Sequence, residues 1–455
     1  MESKYLNFLL DENEINRIAK EVGLCRRIRT FTPIELLKMV VFYPNNIAKD
    51  ILDEISLNLF EISSISVSNE SINKRFNSTF VKFLKAIFLE LLNIKLNVKI
   101  PEKNILEPFN RILLTDSTVS KLHSSLSEEY PGGRNQEGPY SSLKINLIKD
   151  LKNNTPVDIQ VSRGTKNDYE FLPRIKKFMK AKDLILNDLG YCSLEFLKHV
   201  IKKKAFFVSK LKLNSLKTIS LENPNPTYFK NGTVKLQNKF IPFDIEKECN
   251  SMVAGEIREF ENVHIGGDSD KLPCRLIITK LDGVLEERRH KTVTKKIRDP
   301  RPYLKEEKRE IAKFGFMITN LPKASYPKEQ IYPIYSLRWQ IELEFKNWKS
   351  ILEIDESHRK LKKERIEAHF YGKLINILVN NEISKMLKDE IAIENTVLSD
   401  KKVFHHVSYY LEKLHHYNYR FNDILDKLKR LVAKTCLKSK KKGETSSNEV
   451  MDFVT

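Results

Sequence analysis

The chain has 455 residues, 41% of them hydrophobic, which is enough to bury the cores of two or three domains and too apolar for a disordered protein. Lys plus Arg number 79 against 60 Asp plus Glu, a formal net charge of +19; that field suits a polyanion, and nucleic acid is favoured over membrane because no apolar run is long enough to span a bilayer. Five scattered cysteines (Cys25, Cys192, Cys249, Cys274, Cys436) form no Cys-x-x-Cys pair, so neither a disulfide framework nor a zinc knuckle is supported, and the polar start Met1–Tyr5 lacks a signal-peptide core, as in a cytoplasmic protein.

Residues 1–105 are predicted to form a helical N-terminal DNA-binding domain. Thr32-Pro33 reads as an N-cap and first-turn proline opening a helix through Val41. Helical patterns follow at Ile47–Leu59 and Ser68–Phe76, where Ser71–Phe76 would suit a recognition helix. A helix-turn-helix and an ordinary small helical bundle are both open there.

Over 106–210 the hydrophobic period changes. Ile112–Val119 is a short apolar run ending in polar residues, and Lys144–Ile148 and Val157–Val161 alternate. Gly164–Asp168 makes the turn into a helix through Met179. Leu184–Asn187 is an apolar strand running into Asp188, Ser193 opens the next helix, and Phe206–Val208 is a further strand. Asp116 and Asp188 thus sit at the ends of hydrophobic strands. A single acid there reads as a turn residue, whereas two on neighbouring strands repel each other in a way that a divalent cation relieves.

Residues 211–321 are turn-rich and β-prone, with strands at Cys274–Thr279 and Phe316–Asn320, and read as a mostly antiparallel insertion. Its basic stretch, Arg288–Lys291 and Lys295–Arg298, is either a DNA-facing arm or a solvated loop. Beyond it Tyr335, Arg338, Glu342 and Lys349 are predicted to fall within an arc of about 60° on one helix. Leu337, Ile341, Phe345 and Trp348 would form the adjoining core-facing strip. Taken alone this is the pattern of an amphipathic helix with solvated charges. Beside two strand-end acids, Glu342 becomes a candidate third metal ligand and Arg338 and Lys349 candidate phosphate contacts.

The rest of the segment 322–375 returns to the core, and 376–436 reads as a helical C-terminal region ahead of a basic, disordered tail at 437–455. The doublets His405-His406 and His415-His416 have no thiolate or acidic partners in the pattern and read as exposed or core-edge histidines.

With Asp116 in Leu-Thr-Asp-Ser-Thr, Asp188 in Asn-Asp-Leu-Gly-Tyr, and Glu342 in Tyr-x2-Arg-x3-Glu-x6-Lys, the chain resembles the DDE transposases of bacterial insertion sequences, and more narrowly the insertion-sequence-four family with its Tyr-Arg-Glu-Lys signature. The resemblance runs from Val22–Arg27 through Tyr130–Gly133 to the C-terminal helices. It implies an α/β, ribonuclease-H-like catalytic core, a mixed sheet with helices on both faces, interrupted by the β-rich insertion. It also implies Asp116, Asp188 and Glu342 as catalytic metal ligands for two Mg²⁺ ions, with Mn²⁺ as substitute. Tyr335, Arg338 and Lys349 would bind phosphates at the cleaved end, and Trp339 would either stack on a base turned out of the duplex or pack in the core. Partners implied are the terminal inverted repeats of the element and target DNA, with a homodimer in the DNA complex, no membrane, and a nucleoid-associated location. Two other readings share parts of this pattern: a metal-dependent ribonuclease-H-like nuclease that cuts without joining, and a non-catalytic DNA-binding derivative.

Overall fold

A computed structural model describes residues 3–24, 32–43, 45–94, 106–135, 138–211, 218–235, 239–267, 270–283, 286–287, 310–354, 360–391, 398–414 and 421–437. The basic stretch at 288–298, the doublet His415-His416 and the tail beyond Leu437 lie outside them. The elements begin with α1 (Lys4–Leu10), α2 (Glu12–Glu21), α3 (Pro33–Val41), α4 (Leu52–Ser63), α5 (Asn69–Arg75) and α6 (Ser78–Asn93). Then come β1 (Arg111–Leu122), β2 (Pro131–Asn135), β3 (Gly138–Asp150), β4 (Thr155–Arg163), α7 (Leu172–Phe178), β5 (Asp183–Asn187), α8 (Leu194–Lys202) and β6 (Phe206–Lys210). They are followed by β7 (Ile219–Glu222), β8 (Phe240–Pro242), α9 (Ile245–Asn250), β9 (Ile257–Ile265), β10 (Leu272–Lys280) and β11 (Phe314–Thr319). The remaining helices are numbered on from α9: α10 (Lys328–Ser336), α11 (Trp339–Leu352), α12 (Lys363–Glu390), α13 (Asp400–Leu414) and α14 (Phe421–Thr435). The chain is therefore a mixed α/β protein with strands of both senses.

It divides into two compact units. The first comprises Met1–Ile100, Asp116–Asn167 and Gln340–Glu444. Its helices start where the sequence supplies caps: Thr32 accepts from the Glu35 amide while the Glu35 carboxylate accepts from the Thr32 amide, with Pro33 behind the cap. On α6, Phe80, Phe83, Leu84, Ile87, Phe88 and Leu91 recur at helical spacing and are all buried. They pack on α12, which is buried nearly all round and forms the axis of the unit. Where α12 crosses α3, a Cβ on Gly372 would collide with Val40, so only glycine permits that approach. The sheet part of this unit has β3 between β2 and the second half of β1, with β4 antiparallel to β3.

The second unit comprises Pro101–Thr115 and Asp168–Trp339. Here the first half of β1 pairs in parallel with β5, and β5 in parallel with β6. The order continues β6-β11-β10-β9-β7-β8, each pair antiparallel. β5 is buried at every position, as a central parallel strand covered on both faces must be. The register of β1 on β5 is pinned at one end by a forked ion pair: Arg111 donates to both oxygens of Asp183, at 3.0 and 2.6 Å, with Arg111 opposite Asp183 in the ladder.

Three expectations need correction. The strand predicted to end near Val119 runs to Leu122, because its later inward positions, Thr118 and Ser120, are polar yet buried. β2 was not expected at all. The third concerns the signature helix, which is two helices.

Candidate active site

The five-residue parallel ladder of β1 and β5 ends at Thr115 opposite Asn187, and the next residues along the two strands are Asp116 and Asp188. Both halves of that last pair are buried, and the Thr115 hydroxyl and both polar atoms of the Asn187 amide have no hydrogen-bond partner. A buried polar group without a partner costs about 1–3 kcal/mol, so the last paired layer of the ladder is an expensive place for polar side chains. Asp116 accepts from the following amide, that of Ser117, at 2.8 Å. Asp188 is exposed and stands at the N-cap of a single 3₁₀ turn, Leu189–Tyr191, although its carboxylate makes no capping bond.

The signature residues do not lie on one helix. Tyr335 is in the last turn of α10, Arg338 is in the turn after it, and Glu342 and Lys349 occupy the first and last turns of α11. The break has a local cause. Pro333 lies inside α10, and the Ser336 hydroxyl takes the Pro333 carbonyl at 2.7 Å, the acceptor an α-helical Leu337 amide would use. The Leu337 and Arg338 amides turn instead to the carbonyls three residues back, those of Ile334 and Tyr335, tightening the end into a 3₁₀ turn. Leu337, Ile341, Phe345 and Trp348 are nonetheless buried as the apolar strip required.

In the first unit, α11 reaches the later part of β1 through one hydrogen bond: the Lys349 ammonium donates to the Val119 carbonyl at 3.2 Å, three residues beyond Asp116. Glu342 and Asp116 thus belong to elements of the same unit that this bond joins. The orientation of α11 is held from its other side by a group the sequence reading missed. Glu344, two residues after Glu342 and therefore about 200° round the helix, is buried and paired with buried Lys149 of β3 at 2.7 Å. It also accepts from Trp348 Nε1 at 3.1 Å and from the Asn381 amide of α12 at 2.8 Å. Burial works against the charge on Glu344, but Lys149 and these donors outweigh it and hold the carboxyl below the usual carboxylate range.

In the second unit, Asp188 shares its surroundings with Tyr335 and Arg338. Tyr335 is only 3% exposed. Burial first, then the Asp188 charge, push its hydroxyl far above the ordinary tyrosine range, with Arg338 opposing both. The phenol therefore stays protonated and can only donate to an anion or accept from a donor. The Lys210 ammonium and the Arg338 guanidinium lie over its ring, 5.4 and 5.9 Å from the centroid. The loop before α10 is fixed by Arg275 of β10, which the sequence reading also passed over; it donates to Glu259 and to the Leu321 and Tyr326 carbonyls. Trp339 is 46% exposed, which excludes core packing, while Trp348 is fully buried.

The donor set of the three acids is all carboxylate oxygen, which suits Mg²⁺ or Mn²⁺ rather than a thiophilic ion. Among the described residues no group of three or more His, Cys, Asp or Glu is gathered closely enough to hold a metal ion, so the donors are present without a closed cage. His406 is no ligand candidate, since its two ring nitrogens are engaged by the Lys402 carbonyl and the Thr435 hydroxyl. No described helix is long and apolar enough to cross a membrane.

Residues 107–379 match the family model described as a transposase DDE domain. The chain is 33% identical over 414 residues to the transposase for insertion sequence element IS1151 of Clostridium perfringens, covering 90% of this chain and 86% of that one. To the transposase for insertion sequence element IS231B of Bacillus thuringiensis subsp. berliner it is 32% identical, over 97% and 92% of the two chains. Among solved structures it is similar to the piggyBac transposase in a synaptic complex with hairpin DNA, at a TM-score of 0.44 and 13% identity, over 98% of this chain and 86% of that chain.

Proposed function

The chain belongs to the DDE transposases of insertion sequences, and on that premise we propose that Asp116, Asp188 and Glu342 are its catalytic acids, in the Tyr-Arg-Glu-Lys group of the insertion-sequence-four family. Its function is DNA transposition, by DNA cleavage and strand transfer, and the chemistry of its domain depends on a divalent metal. The observation that carries the assignment is the end of the β1–β5 ladder, where two parallel strands of apolar residues each give way to an aspartate immediately after the last paired position. The Lys349 hydrogen bond to the Val119 carbonyl supports adding Glu342, because it ties the helix of the third acid to the strand that carries the first. On this reading the parallel strands β1, β5 and β6 belong to a ribonuclease-H-like core, and residues 211–321 are a β-rich insertion between the second and third acids.

When bound, two Mg²⁺ ions would activate water or a 3′-hydroxyl and stabilise the oxygen that leaves phosphorus. The three carboxylates supply the negative charge that holds them. Arg338 offers a planar fork to a phosphate at the cleaved end, and Lys349 a point charge. Tyr335, kept protonated, donates to a phosphate oxygen without adding an anion that would repel DNA. Exposed Trp339 gives an unpaired base a face to stack on. The DNA engaged would be the terminal inverted repeats of the element and then the target, with two copies of the chain holding two ends.

The deciding experiment supplies a pre-cleaved element end and target DNA with Mg²⁺. Joined products are expected from the native chain, none from Asp188→Ala, and DNA binding is expected to survive in that variant. Products that stop at hydrolysis would instead mark a nuclease of the same fold.

A further inference from the structure

The aspartate that ends β5 is followed by a turn held in place from a distance. Tyr191, the last residue of the 3₁₀ turn Leu189–Tyr191, is 1% exposed, and its hydroxyl donates to Asp168 Oδ1 at 3.1 Å. Its amide donates back to the Asp188 carbonyl at 3.0 Å, closing the turn on the acid itself. The Asp168 carboxylate also lies against Gly190: a Cβ there would stand 3.3 Å from Asp168 Oδ2 and 3.7 Å from its Cβ. Beyond the turn, the Cys192 sulfur lies 3.1 Å from the Ser209 hydroxyl of β6, which shares its one proton with the Lys210 carbonyl at 3.0 Å. Asp188 therefore begins a turn that touches β6 at its far end and is held along its length to the 3₁₀ segment Asp168–Phe171.

We infer that Asp168 is a positioning residue for Asp188, acting through the Tyr191 hydroxyl and the glycine that lets the two segments touch. The role follows from geometry. An exposed carboxylate at a strand end has free χ torsions, and its direction is set by the backbone of the turn it opens. Tyr191 is the only residue of that turn buried deeply enough to anchor it, and its one polar atom goes to Asp168. Asp168 needs to accept a hydrogen bond here; the role makes no use of its charge. This rests on the reading of Asp188 as a metal ligand.

The test uses the full chain and Mn²⁺ as probe, with direct Mn²⁺ binding followed by electron paramagnetic resonance and cleavage followed as a function of Mn²⁺ concentration. Asp168→Ala and Tyr191→Phe are each expected to weaken Mn²⁺ binding about tenfold, the low end for partners that orient a metal ligand. The double variant should be no worse than the worse single one, since both remove one shared bond. Asp168→Asn should bind like the native chain, because an amide oxygen still accepts from Tyr191. Thermal midpoints guard against a folding defect, which Tyr191→Phe, lacking one oxygen, is least prone to show. Asp168→Asn as weak as Asp168→Ala would mean the charge itself is used, and additive losses or native binding in every variant would equally overturn the positioning role. The parent reading fails separately: it falls if Asp188→Ala still cleaves DNA, and it stands if that variant is inactive while Asp168→Ala and Tyr191→Phe bind Mn²⁺ normally.

Discussion

The β1–β5 strand pair and helix α11 carry the acids of the same proposed centre, but they are held by different physics. On the strands, position is a matter of register: apolar runs bury both faces, the Arg111–Asp183 fork sets which residues stand opposite, and the aspartates follow from counting. A slip by one residue would turn every side chain to the wrong face, so the whole ladder resists it. On α11, rotation about the helix axis is what must be fixed, and a buried ion pair between residues 195 apart in sequence does it. A periodic device distributes its constraint over many contacts, whereas a buried charge pair concentrates it in two side chains. The second should be the more brittle.

Removing an acid tests both regions at once and has the largest expected effect. Asp116→Ala, Asp188→Ala or Glu342→Ala should each lower strand transfer by on the order of 10⁴, as loss of a central catalytic group does, with DNA binding by gel shift largely kept. Next comes the brittle pair. Glu344→Ala leaves Lys149 charged and buried, and should lower stability in chemical denaturation by about 3–5 kcal/mol. The double change Lys149→Met with Glu344→Leu should lose much less than the sum of the singles, which a double-mutant cycle measures. On the strand side, Arg111→Ala should cost less, roughly 2–3 kcal/mol, because Asp183 still accepts from the Lys180 amide at 2.7 Å. Equal losses at Glu344 and Arg111 would remove the contrast between the two regions.

The helical backing of α11 also makes a prediction in pH. His369 on α12 is fully buried, and burial together with the nearby Lys373 and Arg365 charges pushes it down to about 3 from an ordinary 6.5. The folded state holds it neutral while the unfolded chain takes up a proton, so its contribution is complete above pH 6.5 and declines as pH falls toward 3. Between pH 7 and 5 unfolding should become easier by about 2 kcal/mol from this group alone, and His369→Gln should flatten that part of the profile. The smallest expected effect is at the exposed aromatic: Trp339→Ala should change stability by less than about 0.5 kcal/mol while reducing cleavage at a DNA end.

What could be read in advance follows the same division. The strand pair was legible because Ile112–Leu114 and Leu184–Leu186 are apolar runs with an acid just past each, and the caps at Thr32 and Ser193 announced their helices. β2 was illegible because Pro131-Gly132-Gly133 is turn chemistry. It pairs as a strand because a Cβ on Gly132 would strike the Tyr140 carbonyl and the Ser142 hydroxyl, so the glycine that suggests a turn is what admits the neighbouring strand. The helix break at Leu337-Arg338 was hidden by an apolar period that continues straight through it, and its cause is a hydroxyl competing for one carbonyl. Lys149 and Glu344 had no signal, since each alone looks like a surface charge. Such long-range charge pairing is a property of the folded topology.

The break in the signature also orders events during synthesis. Asp116 and Asp188 follow the last paired residues of β1 and β5, but Glu342 stands in the first turn of a helix far downstream. At about 5–20 residues per second, that acid emerges roughly ten to forty-five seconds after the first, and the α12 residue that steadies its helix, Asn381, later still. A growing chain therefore carries both aspartates well before it holds a complete set of acids with which to cut.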